Sequence, residues 1–233
     1  MEVLRLMAGN QEVLRQAQDI TIEMLRKGGV VAVPTDTVYG LIADATNDVA
    51  VAKIFDIKGR PKEKVVSLFV RDIRMAKEYA EVSSKQERFL EEVWPGRITV
   101  VLKRKPFSAR GGPAFGGDKL RTYGAGKLRG YLKDTIGMRA PKDVFLQNVL
   151  KEMAVPIAQT SANVSGKPPA RNVEEVLLYF NAAEHQPDLV IDGGAREGEP
   201  STVLDLSVAK PVVLREGAVS PETVFRWYTY FNG

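Results

Sequence analysis

The sequence predicts an α/β fold built on a mixed sheet, on three observations. Short apolar runs bounded by turn residues recur along the chain, separated mostly by segments with apolar residues at helical spacing. The connections between the last of these runs are short, which makes the sheet mixed rather than purely parallel. With 233 residues and 44% hydrophobic side chains, there is enough chain for a substantial core.

Taken in order, Val13, Ala17, Ile20 and Met24 recur at helical spacing, and Gly28–Gly29 end that helix. VVAV at 30–33 is a buried strand closed by Pro34. Asn47 and Asp48 can cap a helix running through Ile57. VVSLFV at 65–70 is a strand, followed by helices near 72–80 and 84–93. ITVVLK at 98–103 and TIGMR at 135–139 are strands. Val144, Phe145, Val149, Leu150 and Met153 mark a helix, and VPIAQ at 155–159 the next strand. A helix is expected near 172–181, then strands at 188–192, 202–206 and 211–214. Ser220 caps a final helix whose Phe225, Trp227, Tyr228 and Phe231 are expected to dock on the core.

Composition excludes several chemistries. With no cysteine there is no disulfide framework, cysteine nucleophile or thiolate metal site. One histidine, His185 in a helix-end context, argues against a histidine relay and suits a surface or capping role. No run of about 18 apolar residues marks a membrane span. The N-terminal residues do not read as a signal peptide, so a cytoplasmic protein is expected.

Charge is unevenly placed. The net charge is +4, yet residues 104–133 hold eight cations against Asp118 alone, a local +7 on a body of −3. The same segment holds seven of the 20 glycines. A single domain, 1–233, with a basic Gly-rich loop insertion at about 104–133 is expected. That loop reads either as a solvated surface insertion or as an anion-binding lid.

Four polar segments interrupt the apolar pattern. PTDTVYG (34–40) ends a buried strand, where open α/β sheets place ligands, and its hydroxyls can hold a small polar substrate. An Asp-centred turn would use the same residues. In KGRPKEK (58–64), Pro61 disfavours helix at Arg60. An extended segment would then point Lys58, Arg60, Lys62 and Lys64 to one face, suited to a polyphosphate; a solvated basic loop is the alternative. QTSANVSGKP (159–168) offers Ser161, Asn163 and Ser165 at a sheet mouth, or a turn cluster. DGGAREGEPSTVLDL (192–206) and LREGAVS (214–220) supply Ser201 and Arg215, or ordinary strand-linking turns. No G-x-x-x-x-G-K-[ST] phosphate loop occurs, and Gly124, Gly126 and Gly130 miss the dinucleotide spacing by one residue.

In order, PTDTVYGL, Lys58–Gly59–Arg60, WPGRITVVLK, TIGMRAP, Ser161–Ala162–Asn163 with its SG, and STVLDL…LREGAVS resemble the YrdC-like family, the threonylcarbamoyl-AMP synthases. The resemblance spans roughly residues 12–220 and implies a twisted, mostly open mixed sheet with a concave basic surface, in the single-domain form. It implies condensation of L-threonine, bicarbonate and ATP to threonylcarbamoyl-AMP and pyrophosphate, with Mg²⁺ carried on ATP phosphates and water. The product would pass to threonylcarbamoyl-transfer proteins that modify the tRNA adenosine next to the anticodon. Contact with tRNA or double-stranded RNA is compatible with the basic face.

Carried over by position, Lys58 and Arg60 resemble the catalytic cations. Arg60, Lys64, Thr135, Ser161, Asn163 and Arg215 resemble ATP-side residues. Thr37, Arg139, Gln159 and Ser201 resemble threonine-side residues, with Arg139 facing the carboxylate and Gln159 offering its backbone. Lys64 stands where many relatives have Asn, and Phe69 where some have His. Pro169–Ala170–Arg171–Asn172 replaces a Thr-rich stretch. Two rival readings share the fold: an RNA-binding module without synthase activity, and a carbamoyl-adenylate-forming domain like that of hydrogenase maturation factors. The condensation needs anions brought together and developing charge stabilised, so cations and hydroxyls suffice without histidine or cysteine.

Overall fold

The structure, a computed structural model, describes residues 1–7, 9–59, 66–105 and 134–230. Its ten strands are β1 (Glu2–Arg5), β2 (Val31–Val33), β3 (Gly40–Asp44), β4 (Ser67–Phe69), β5 (Ile98–Lys103), β6 (Thr135–Arg139), β7 (Ile157–Ser161), β8 (Leu189–Asp192), β9 (Thr202–Asp205) and β10 (Val212–Arg215). They form one open sheet in the order β1-β8-β2-β3-β7-β4-β6-β5-β9-β10. The pairs β1·β8, β2·β8, β4·β6 and β5·β9 are parallel and the others antiparallel, so the sheet is mixed as expected.

Seven helices are described: α1 (Gln11–Arg26), α2 (Asp48–Lys58), α3 (Ile73–Tyr79), α4 (Ser84–Val93), α5 (Val144–Met153), α6 (Val173–Phe180) and α7 (Pro221–Tyr230). Their starts follow capping chemistry. The Asn47 side chain accepts from Val49 and Ala50 N–H at α2, and Ser83 with Gln86 closes a capping box on α4.

Strand alternation divides the core between the two sheet faces. Ala32, Leu41, Ala43, Leu68, Val100, Met138, Ala158, Val190 and Leu204 face a large cluster completed by α2, α3, α4, α6 and α7. Val31, Val33, Ile42, Phe69, Ile157, Leu189 and Ile191 face a smaller cluster closed by α1 and α5. The face under α1 and α5 is therefore covered chiefly on the β8-β2-β3-β7-β4 side. Towards β6, β5 and β9 that face carries Gly137, Thr135, Arg139, Thr99, Val101 and Val203 instead.

Several expectations are corrected. β1 and β3 were not foreseen. β3 begins at the last residue of PTDTVYG, so that motif is the tight connection between two antiparallel neighbours. The strand expected at 155–159 begins two residues later and runs to Ser161, which puts Gln159 and Ser161 on the strand itself. In α7, Trp227 and Tyr228 pack on the core and Tyr228 meets Phe89 edge-on at 5.4 Å. Phe225 remains exposed, against the expected docking, and Phe231 lies outside the described residues. His185 is exposed, beyond the end of α6.

Candidate functional site

The open part of the sheet face is the floor of a cavity of about 530 Å³. Nine sequence-predicted residues line it: Thr37, Lys58, Thr135, Arg139, Gln159, Ser161, Asn163, Ser201 and Arg215. Residues up to 178 positions apart in the chain (Thr37 and Arg215) thus meet at one place, because alternate positions of β4, β5, β6, β7 and β9 all point there. Arg60 and Lys64 lie outside the described residues, as does the basic loop beyond Lys105.

One wall is the β2–β3 corner. Thr35 Oγ1 lies 2.9 Å from Thr37 Oγ1, receives the Thr37 N–H at 3.0 Å and donates to the Val38 carbonyl at 2.7 Å. Between the two threonines, Asp36 pairs with Arg139 Nη2 and accepts from the Lys142 N–H at 3.0 Å. Arg139 is only 2% exposed. Its Nε donates to the Gly96 carbonyl at 2.8 Å and its Nη1 to Thr37 Oγ1 at 3.2 Å. The guanidinium lies over the Phe69 ring, 5.7 Å from its centroid. Burial pushes the Arg139 pKa down and the Asp36 charge opposes that shift. Phe69 is thus a shelf under the arginine, a job its apolar ring can do.

The opposite wall comes from β5, β9 and β10. Thr99 Oγ1 and Ser201 Oγ lie 2.8 Å apart. Arg215 donates from Nε at 3.1 Å and Nη2 at 2.7 Å to the Ser201 carbonyl, and from Nη2 at 3.2 Å to its hydroxyl. A register shift between Val213 and Arg215 re-aims the end of β10 towards the cavity. Burial and the nearby Arg139 charge lower the Arg215 pKa. On the β7 side, Gln159 Nε2 donates to Ser67 Oγ at 2.6 Å.

Lys58 departs from expectation. It is not the first of four alternating cations on an extended segment but the last residue of α2, 3% exposed. Gly59 ends the helix in the left-handed conformation at φ 57°. The Lys58 ammonium donates to the carbonyls of Ser161 (2.6 Å) and Asn163 (2.9 Å) and to Asn163 Oδ1 (2.8 Å).

Sequence reasoning passed over Asp36, Ser67, Thr99 and Gly137. Asp36 was visible as the acid of an Asp-centred turn. Thr99 and Gly137 were visible as polar or minimal positions alternating with Ile98, Val100, Ile136 and Met138. A methyl at Gly137 would stand 3.3 Å from Ser67 Cβ, so glycine keeps the floor open.

Beside the Asp36 turn, Asp143 caps α5 by accepting from the Leu146 N–H at 3.0 Å. Burial pushes its carboxyl pKa up, above the ordinary carboxylate value. A carboxyl whose folded pKa is raised weakens the fold as pH climbs from the unfolded value through the folded one. Asp143→Asn keeps a good N-cap and removes that charge. The variant is expected to be more stable than the parent at pH 7 and no more stable near pH 3. Denaturant unfolding at both pH values checks this; an equal gain at both would assign the effect to something other than the charge.

The fold and the cavity define an open-sheet α/β protein with a bowl lined by arginine, lysine and hydroxyls. The family model described as "Telomere recombination" (Sua5, YciO, YrdC) matches residues 23–217, and the chain belongs to that family. A relative from Methanocaldococcus jannaschii is 29% identical over 227 residues, 97% of each chain. The threonylcarbamoyl-AMP synthases of Pyrococcus abyssi and Bacillus subtilis are each 32% identical over 88% and 86% of this chain; the matches span 55% and 53% of those relatives. Among solved structures, P. abyssi Sua5 complexed with L-threonine superposes with a TM-score of 0.78 at 30% identity, covering 97% of this chain and 60% of that one. Escherichia coli YciO gives 0.73 at 28% identity, covering 96% and 98%. The HypF likeness, 22% identical with a TM-score of 0.69, concerns the fold alone. Among the described residues, no helix is long and apolar enough to cross a membrane.

Proposed function

We propose that the chain is a threonylcarbamoyl-AMP synthase, condensing L-threonine, bicarbonate and ATP for threonylcarbamoyl modification of tRNA. The observation that carries this is the convergence of all nine described candidate residues on one cavity in a family whose named members include such synthases. The Sua5 structure with L-threonine adds support at 30% identity.

In this reading threonine lies at the β2–β3 corner. Its carboxylate meets Arg139, whose Nε and part of whose fork are already engaged by Gly96, Thr37 and Asp36, so the remaining N–H groups are held in place before substrate arrives. Thr37, Ser201 and the Gln159 backbone surround the amino-acid side. ATP occupies the side of Thr135, Ser161, Asn163 and Arg215, with Arg60 and Lys64 assigned to its phosphates by their motif positions. Bicarbonate gives CO₂ and hydroxide; the amine adds to the CO₂ carbon, and the proton it loses combines with the hydroxide as water. A carbamate oxygen then attacks the α-phosphorus, and pyrophosphate leaves with the electron pair of the broken P–O bond. Magnesium would be held by ATP phosphates and water, the oxygen ligation it prefers, and would supply charge neutralisation to the leaving pyrophosphate. Among the described residues, the cavity lining offers hydroxyls and amides but no carboxylate to hold a metal independently. The negative charge on the phosphoryl and leaving pyrophosphate oxygens would be stabilised by cations.

The test is direct. Purified protein with ATP, Mg²⁺, bicarbonate and single amino acids should yield the threonyl adduct, seen by mass spectrometry, with stoichiometric pyrophosphate. RNA binding without any ATP-to-pyrophosphate conversion would favour the RNA-binding reading. An adduct formed from carbamoyl phosphate without threonine would favour the carbamoyl-adenylate reading.

A further inference from the structure

The Lys58 side chain looks at first like one more cation for the triphosphate. Its surroundings say otherwise. An ammonium has three protons and no acceptor. Among the described residues, three acceptors converge on Nζ: the Ser161 carbonyl at 2.6 Å, the Asn163 carbonyl at 2.9 Å and Asn163 Oδ1 at 2.8 Å. The grip is mutual, since the Lys58 carbonyl receives the Ser165 N–H at 2.9 Å. Asn163 is also held elsewhere. Its Oδ1 accepts from Ser161 Oγ at 2.6 Å and its Nδ2 donates to the carbonyls of Val164 (3.1 Å) and Lys167 (2.5 Å). The C-terminal end of α2 is thereby fastened to the turn that leaves β7.

We infer that Lys58 is a positioning residue: its ammonium organises Ser161 and Asn163 for the nucleotide and does not itself contact phosphate. This rests on the ATP-consuming reading above. Two carbonyls and an amide oxygen, one behind another at a strand end, would leave converging negative dipoles aimed at an incoming polyanion. A cation in their midst cancels that field and fixes the turn. Only a compact tetrahedral donor on a flexible stem fills such a socket. A planar arginine fork presents its N–H groups in one plane and cannot reach all three.

The wild-type protein, with ¹⁵N-lysine and uniform ¹³C labelling, tests this by NMR with and without Mg·ATP. Through-hydrogen-bond couplings from Lys58 ¹⁵Nζ to the ¹³C′ of Ser161 and Asn163 are expected in both states, with no ¹⁵N–³¹P coupling. Loss of the carbonyl couplings on adding ATP, or appearance of a coupling to phosphorus, overturns the inference. If ATP shifts no signal of the cavity, the synthase reading fails, while the couplings in the free protein still decide whether the socket exists.

Two variants give a second measure. Lys58→Arg and Lys58→Met are both expected to weaken ATP binding by about tenfold, the scale of one lost charge-assisted bond, and threonine binding by much less. In a Ser161→Ala/Asn163→Ala background, Lys58→Met is expected to add under about twofold, because the residue acts through those partners. Wild-type ATP affinity in Lys58→Arg, or an undiminished Lys58→Met effect in that background, overturns the inference.

Discussion

Arg139→Ala is expected to cost the protein both threonine recognition and a large share of its stability. The two effects have separate causes. Arg139 and Asp36 are a buried pair, with side-chain exposures of 3% and 7%. Removing one partner leaves the other charge uncompensated, which typically destabilises by about 3–5 kcal/mol. Domains of this kind are stable by only about 5–15 kcal/mol, so the unfolding midpoint should fall steeply. On the proposed function, the missing contact to the threonine carboxylate would be worth about 1.5–3 kcal/mol. That is roughly a ten- to hundredfold rise in threonine KM, with ATP affinity changed far less. The double variant Arg139→Met/Asp36→Asn should recover most of the stability and none of the threonine affinity. A threonine KM unaffected in either variant would remove Arg139 from the amino-acid site.

Gly217→Ala should damage activity more than its distance from any reacting atom suggests. A methyl there would stand 2.1 Å from the Pro200 carbonyl oxygen and 2.8 Å from the Ser201 carbonyl carbon. Backbone cannot move aside as a side chain can, so the 200–201 segment must shift. The Ala218 N–H bond to Pro200 at 2.8 Å ties the two stretches together. The shift would carry Ser201 away from Thr99 and loosen the Arg215 contacts that hold that wall. Overpacking of this kind costs about 1–3 kcal/mol, visible as a lowered Tm. Misplacing a site wall by about 1 Å can cost a hundredfold in rate, so kcat/KM should fall further than stability alone implies. Thermal unfolding and adduct-forming kinetics on the same preparation check this; a full stability loss with unchanged kcat/KM would show that the wall tolerates the shift.

The apolar runs made most strands and helices legible, because burial imposes a period of two or 3.6 on any sequence. The capping residues Asn47 and Ser220 were legible for a similar reason: helix ends leave N–H groups that short polar side chains satisfy. β1 and β3 were hidden. β3, Gly40–Asp44, follows the β2–β3 corner without a break, and its first residue belongs to the polar motif. β1 is mostly exposed and too short to show alternation.

The candidate site was legible as a set of polar segments, yet each segment alone read equally well as a turn. Lys58 shows why. Its spacing from Arg60 and Lys64 suggested a row of phosphate cations, whereas its partners lie 103 and 105 residues away, at Ser161 and Asn163. Asp36 belongs to the same lesson. It looked like a turn former, and only its pairing with Arg139, 103 residues on, ties it to the cavity wall.

The class of fold, the absence of cysteine chemistry and the family motifs were all readable from residue order, because they depend on residue type and on spacing within a single element. Tertiary structure decided which polar positions share one cavity and which cation is already engaged. The physical reason is that hydrogen bonds and ion pairs act over about 3 Å, and only the folded sheet brings residues a hundred positions apart within that reach.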